Sequence, residues 1–260
     1  MRIVALLAVH NEEAYLANCL RHLVDQGIEV CVIDNDSDDA SRGIAEAERG
    51  VIRIENVPYK GFLDLPLLLR EKEKLATDIG ANWFIRVDAD EIMHSYREGE
   101  TLGEGIERLD AQGWGVINFD EFVFLPLECE YVTDWAGMQP ILHYYFFEPQ
   151  KTRLMRAWKA SKKVSGVDGA GHKLMGEEFR LSTETFALRH YIFRNQDHAF
   201  EKYQTRKFSE AALSRGWHAR RLNQPRERFG FSQAGELERL STPASHDLRR
   251  EKPRLKHYWE

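Results

Sequence analysis

The sequence predicts an α/β protein with a mainly parallel, Rossmann-like sheet flanked by helices. Two observations carry this. Short apolar runs alternate with amphipathic stretches of helical period through the first third of the chain. The first, second and fourth of those runs end in acidic or amide-bearing clusters. In parallel sheets, ligands bind beyond the carboxyl ends of the strands, so that convergence marks a site.

Ile3 to Val9 reads as a buried strand that ends at His10-Asn11-Glu12-Glu13. From about Glu12 to Gln26 apolar residues recur at helical spacing, Asn11 can serve as cap, and Gly27 stops the helix. Glu29 to Ile33 is a second strand, running into Asp34-Asn35-Asp36-Ser37-Asp38-Asp39, a segment suited to a turn and a cap for a helix from Ala40 to Glu48. Val51 to Ile54 is a third strand. Leu65 to Ile79 is an amphipathic helix whose polar face includes Arg70, Lys72 and Lys74. Asn82 to Val87 is a fourth strand, ending in Asp88-Ala89-Asp90-Glu91.

The second half is less regular. Trp114 to Phe124, with alternating character, Ile141 to Phe147 and Phe186 to Phe193 are strand candidates. Between the last two lies a glycine-rich break, residues 165–172. Asp197 to Arg215 reads as one helix, and Trp217 to Glu260 as charged and partly helical. The simplest organisation is a domain over residues 1–195 with a helical, basic C-terminal extension, 196–260, packed on it.

At 260 residues, 43% hydrophobic and 30% charged, the composition is that of a globular protein. No apolar run approaches a membrane span, and the N-terminus reads as a first strand rather than a signal peptide. Cys19, Cys31 and Cys129 are scattered, which predicts reduced, buried thiols and a cytoplasmic location. Residues 1–188 hold 20 Lys and Arg against 33 Asp and Glu, and residues 189–260 hold 16 against 9. An acidic body without a continuous positive track excludes general nucleic-acid binding. The basic tail leaves room for peripheral contact with an anionic membrane face.

Two carboxylates one small residue apart at a strand end can converge on a hard divalent cation, Mn2+ or Mg2+. Such a cation neutralises a nucleotide diphosphate as a leaving group. Asp34, at the end of the second strand, suits hydrogen bonds from a base or ribose; otherwise it makes an Asx turn. His10, Asn11 and Glu12 face the same crevice.

These pieces resemble the GT-A-type glycosyltransferases of the large family 2 group: Ala8 to Glu13, Val32 to Asp39, and Asp88 to Glu91 after its apolar strand, in the right order over roughly residues 1–95. The resemblance implies a GT-A-like fold and a nucleotide-diphosphate sugar donor, most often a UDP-sugar. It also implies Mn2+ or Mg2+ on the D-x-D, with sugar transferred to a saccharide or lipid-linked acceptor, as in bacterial polysaccharide or glycolipid assembly. By that analogy Asp34 contacts the base, Asp88 the ribose or metal, and Asp90 the metal; Ala89 lies against the donor and Arg70 meets base or phosphate. A late histidine reaches metal or diphosphate in many such enzymes, and His190 takes that role here, with His218 as an alternative. Arg189, Arg194 and Lys202 beside His190 suit a diphosphate. The chain departs from the family at the base of inverting members, a Glu-Asp pair, where it has Gly171-His172. His172 is the first candidate for proton acceptor, with Asp120, Glu121 and Asp168 as carboxylate alternatives. A nucleotidyltransferase would carry a glycine-rich, basic phosphate loop after the first strand, where this chain has His-Asn-Glu-Glu. A non-catalytic nucleotide-sugar- or carbohydrate-binding protein is the remaining rival.

Overall fold

A computed structural model describes all residues except 128–140, 177, 218–223 and 230–235; Cys129 and His218 fall outside the described residues. The elements are β1 (Ile3–Val9), α1 (Glu13–Asp25), β2 (Glu29–Asp34), α2 (Ser41–Ala47), β3 (Val51–Asn56), α3 (Leu65–Asp78), β4 (Trp83–Val87), β5 (Glu91–His94), α4 (Leu102–Ala111), β6 (Val116–Phe124), β7 (His143–Phe147), β8 (Leu154–Lys159), β9 (Val164–Ser165), β10 (Met175–Gly176), β11 (Phe186–His190), α5 (Gln196–Thr205), α6 (Glu210–Ser214) and β12 (Glu238–Arg239). Ten strands form one sheet whose main path is β12-β7-β6-β8-β4-β1-β2-β3. The half made of β3, β2, β1 and β4 is parallel, as the alternation predicts. From β8 outward the pairings are antiparallel, apart from β11 beside β6.

The core follows the period-two geometry of buried strands. Ile3, Ala5, Leu7 and Val9 of β1 pack under α1 and α4, while Val4 and Leu6 pack under α3. Asp64 caps α3 by accepting the Leu67 N–H at 3.2 Å. Thr101 and Glu104 close a reciprocal capping box on α4.

The second half corrects several expectations. β8 lies in the middle of the sheet, between β4 and β6, although Arg156 and Lys159 interrupt its apolar pattern. β6 is buried along its whole length on both faces, so its alternation does not separate an inner from an outer side. The single helix expected over 197–215 is broken. Phe208 bridges Leu63, Lys207 accepts the Leu63 N–H at 2.8 Å through its carbonyl, and Ser209 then caps α6. Beyond α6, helix among the described residues amounts to a 3-10 turn at Arg226–Phe229. Apolar anchors hold the tail instead: Phe229 and Trp259 are buried against Phe193 and Tyr203. Among the described residues no helix is long and apolar enough to cross a membrane, and Cys19 and Cys31 are free and buried.

Behind the sheet end, His94 is 3% exposed. Its Nδ1 lies 2.9 Å from the Ser95 carbonyl, and its Nε2 accepts the Arg189 Nε–H at 3.0 Å. Burial, reinforced by Arg189, pulls its pKa down to about 3. The folded state therefore keeps His94 neutral while the unfolded chain takes up a proton below about pH 6.5. The His94 contribution to stability should be fully present above that pH. It should fall by about 1.4 kcal/mol per pH unit as the pH drops from there toward 3. Urea unfolding at pH 7 and pH 5 checks this: the loss in wild type should shrink in His94→Gln, and an equal loss in both would refute it.

Candidate active-site cleft

The carboxyl ends of β1 and β4, the inner face of α3, the 170–172 loop, the end of β11 and α5 enclose a cleft of about 230 Å3. Of the residues singled out in the sequence, His10, Glu12, Lys72, Asp88, Ala89, Asp90, Glu121, His172, His190 and Lys202 line it.

The others lie elsewhere, each for a physical reason. Asn11 adopts φ 56° and does not cap α1; its Nδ2 donates to Asp38 Oδ1 at 2.6 Å and its Oδ1 accepts the Asp38 N–H at 2.9 Å. Asp34 is 2% exposed and makes the Asx turn, accepting the Ser37 N–H at 3.0 Å with Arg42 at 3.4 Å. Asp39 accepts the Glu13 and Ser41 N–H groups, so the acidic run mostly stitches two loops together. Arg70 is on the exposed face of α3, because Leu68, Leu69, Lys72 and Leu75 make the buried stripe. Lys72, read from sequence as polar surface, is the α3 cation at the site. Asp120 points away from Glu121 across the strand, to Tyr96, Thr185 and Arg250 at 3.0, 2.8 and 3.0 Å. Arg189 is spent on His94 and the Pro243 and Ser245 carbonyls. Arg194 lies by Tyr15, outside the lining. Asp168 is exposed, 3.6 Å from Arg215.

Within the cleft the charges interlock. Asp88 is half exposed, with Lys72 Nζ at 3.7 Å and Arg156 at 3.5 Å. Burial pushes its carboxyl up, but these two cations hold it below the usual range. Asp90 accepts from Lys202 Nζ at 3.0 Å and has His190 Nε2 at 3.6 Å. Together they outweigh burial and keep it well below the usual carboxylate range. Glu91, 1% exposed behind them, contacts Arg156 and accepts the Asp88 N–H at 3.0 Å. Burial raises the Glu12 carboxyl, with Lys202 opposing, and Arg206 stands 3.6 Å from it. His190 Nδ1 lies 2.7 Å from Glu121 Oε1, and Glu121 also contacts Arg153.

Arg153 Nη1 in turn lies 2.6 Å from His172 Nδ1. A guanidinium only donates, so that ring nitrogen is an acceptor and the other carries the hydrogen. In that state His172 presents an N–H rather than a lone pair, which counts against it as the proton acceptor. At the β1 end His10 stacks on Tyr59, centroids 3.9 Å apart, and its Nδ1 lies 2.7 Å from the Asn35 carbonyl. Sequence reading missed Tyr59, Arg86, Arg153, Arg156 and Arg206. The available signal was an arginine inside each of two apolar strands, WFIRV and LMRAWK.

Asp88 and Asp90 offer the hard oxygen donors that Mn2+ or Mg2+ takes, with an imidazole adjacent. Lys202 shares the Asp90 carboxylate, and no three such ligands are gathered for a metal among the described residues.

A family model described as Glycosyl transferase family 2 matches residues 5–61. No curated protein sequence matches the chain. Among solved structures, S. aureus TarS aligns at 13% identity and TM-score 0.48, over 90% of this chain and 45% of that one, so this chain spans less than half of TarS. S. aureus TarS 1-349 in complex with UDP-GlcNAc aligns at 12% identity and TM-score 0.48, over 89% and 74%. Glucosyl-3-phosphoglycerate synthase from Mycobacterium tuberculosis, in complex with Mn2+, UDP and glucosyl-3-phosphoglycerate, aligns at 20% identity and TM-score 0.33, over 47% and 44%. From β1 through β3 and into the loop that carries Tyr59, the chain is therefore similar to glycosyl transferase family 2.

Proposed function

We propose that the chain is a glycosyltransferase that moves a sugar from a nucleotide-diphosphate donor to an acceptor hydroxyl. The observation that carries this reading is the placement of Asp88 and Asp90 at the end of β4, ringed by Lys72, Arg156 and Lys202, in the crevice of a parallel sheet. The His10–Tyr59 stack offers a face for a base at the β1 end of the same crevice.

Asp88 and Asp90, with His190 Nε2 beside them, would hold Mn2+ or Mg2+ once Lys202 gives way. The bound ion would supply positive charge against the diphosphate. Glu121 fixes the His190 ring through Nδ1, the usual support for an imidazole that presents its other nitrogen to a ligand. Lys202 and Arg206 add fixed positive charge where the leaving diphosphate gains negative charge. Of the two carboxylates read as candidate proton acceptors, Glu121 lines the cleft, where His190 and Arg153 engage it, and Asp120 faces away.

One observation favours a second reading, nucleotide-sugar binding without turnover: Arg153 holds both Glu121 and His172. Calorimetric titration with UDP and GDP, with and without Mn2+, followed by turnover over an acceptor panel, separates the two. Metal-dependent binding with turnover supports the enzyme, and binding without turnover supports the second reading. Absence of binding to either nucleotide by folded protein would refute both.

A further inference from the structure

One cation of the cleft has no acceptor. Arg86 stands on β4 two residues before Asp88, so the two side chains leave the strand on the same face, about 7 Å apart along it. Arg86 is 2% exposed, yet none of its three guanidinium nitrogens has a hydrogen-bond partner among the described residues. The Trp158 ring, 5.2 Å from its Cζ, lies beside it. Every other lysine and arginine of the lining has a carboxylate within 4.0 Å.

The covering loop is built around this group. A Cβ on Gly166 would stand 1.6 Å from Arg86 Nη1, so any larger residue there would push the guanidinium out of its present place. Ala170 and Gly171, on the same loop, hold φ of 51° and 76°. Glu73 of α3 and Asp88 act on Arg86 through space, but neither bonds it, and Glu73 instead accepts from Ser165 Oγ and the Gly166 N–H at 2.9 and 2.7 Å. Burying a guanidinium with no hydrogen-bonded anion costs several kcal/mol. A hydrophobic residue on β4 would fill the position, beside Leu69 and Trp158, without that cost.

We propose that Arg86 anchors an anionic group, a carboxylate or a phosphate, carried by one of the two sugar substrates and seated under the 166–171 loop. This anion is distinct from the donor diphosphate, which the Asp88–Asp90 end of the cleft serves. The site is read from Arg86 and its surroundings; that its ligand is a sugar rests on the glycosyltransferase reading. The anion comes either from a uronic sugar on the donor or from an acidic or phosphorylated acceptor. A planar guanidinium meets either group through paired N–H donors.

Calorimetry on wild type, Arg86→Met and Arg86→Lys tests this with matched probes: UDP-glucuronate against UDP-glucose, and, with UDP present, glucuronate and glucose 6-phosphate against glucose. Wild type should favour the acidic member of at least one pair about tenfold or more. Arg86→Met should erase that preference while melting no lower than wild type, since it removes an unpaired buried charge; Arg86→Lys should keep part of it. A preference in the first pair assigns the anion to the donor, and in the second to the acceptor. Equal affinity for acidic and neutral probes in wild type overturns the proposal, as does an acidic preference that survives in Arg86→Met. Should the methionine variant fail to fold, an undiminished preference in Arg86→Lys is the overturning result. UDP binding without an acidic preference sinks only the anion site, whereas an acidic preference without nucleotide binding sinks only the glycosyltransferase reading.

Discussion

Asp90→Ala is expected to abolish manganese-dependent UDP binding and to lower any turnover by a hundredfold or more, the scale of losing a principal charge-stabilising group. Asp90 is ionised at neutral pH because Lys202 and His190 overcome its burial. Its removal takes away one of two converging carboxylates and leaves the Lys202 ammonium with the Ile192 carbonyl at 3.1 Å. The informative companion is Lys202→Met. If the ion sits on Asp90, removing the competing ammonium should tighten Mn2+ binding and preserve metal-dependent UDP affinity. If Lys202 itself holds the diphosphate, UDP binding should collapse with or without Mn2+. Titrations of the two variants side by side decide which cation the site uses.

Glu91→Ala is expected to destabilise the fold by about 3 kcal/mol, the cost of taking the nearer of two carboxylates from the buried Arg156 guanidinium and leaving it Asp88 at 3.5 Å. For a chain of this size that is a melting-temperature loss of roughly 10 °C. Burial raises the Glu91 carboxyl, and with Arg156 pulling it back it still stands at about 7, so its charge depends on that partner. Glu91→Gln keeps one acceptor oxygen and sets its amide NH2 against either Arg156 or the Asp88 N–H, so it should lose less than the alanine variant without regaining wild-type stability. Differential scanning calorimetry tests both, and an alanine variant within about 1 kcal/mol of wild type would refute the assignment.

The parallel half was legible because each of its elements has a local signature. β1, β2 and β4 are apolar runs stopped by polar clusters, and α1 and α3 keep a helical stripe. β8 was not legible, because Arg156 and Lys159 break its pattern and only the finished sheet supplies their partners, Glu91 and Asp110. The break between α5 and α6 comes from the pairing of Phe208 with Leu63, a contact no local pattern records. At the site, Asp88, Asp90 and His190 were readable as chemistry, but the facing of Arg70 and Lys72 turned on helix phase. Asp34 and Asn11 look alike to ligand-binding and loop-stitching readings, because either use wants short side chains that accept N–H bonds.

The insertion of β8 between β4 and β6 also sets the order in which the chain can fold. On the ribosome, β1 to β4 emerge first and can pair among themselves, but the open edge of β4 waits for Leu154–Lys159. At about 5–20 residues per second, that edge stays bare for several seconds while the intervening segments appear. An unpaired apolar strand edge is a template for another chain, so aggregation during synthesis should be greatest just before β8 arrives. Nascent chains stalled before residue 154 should be chaperone-bound, and those stalled well beyond it should be released.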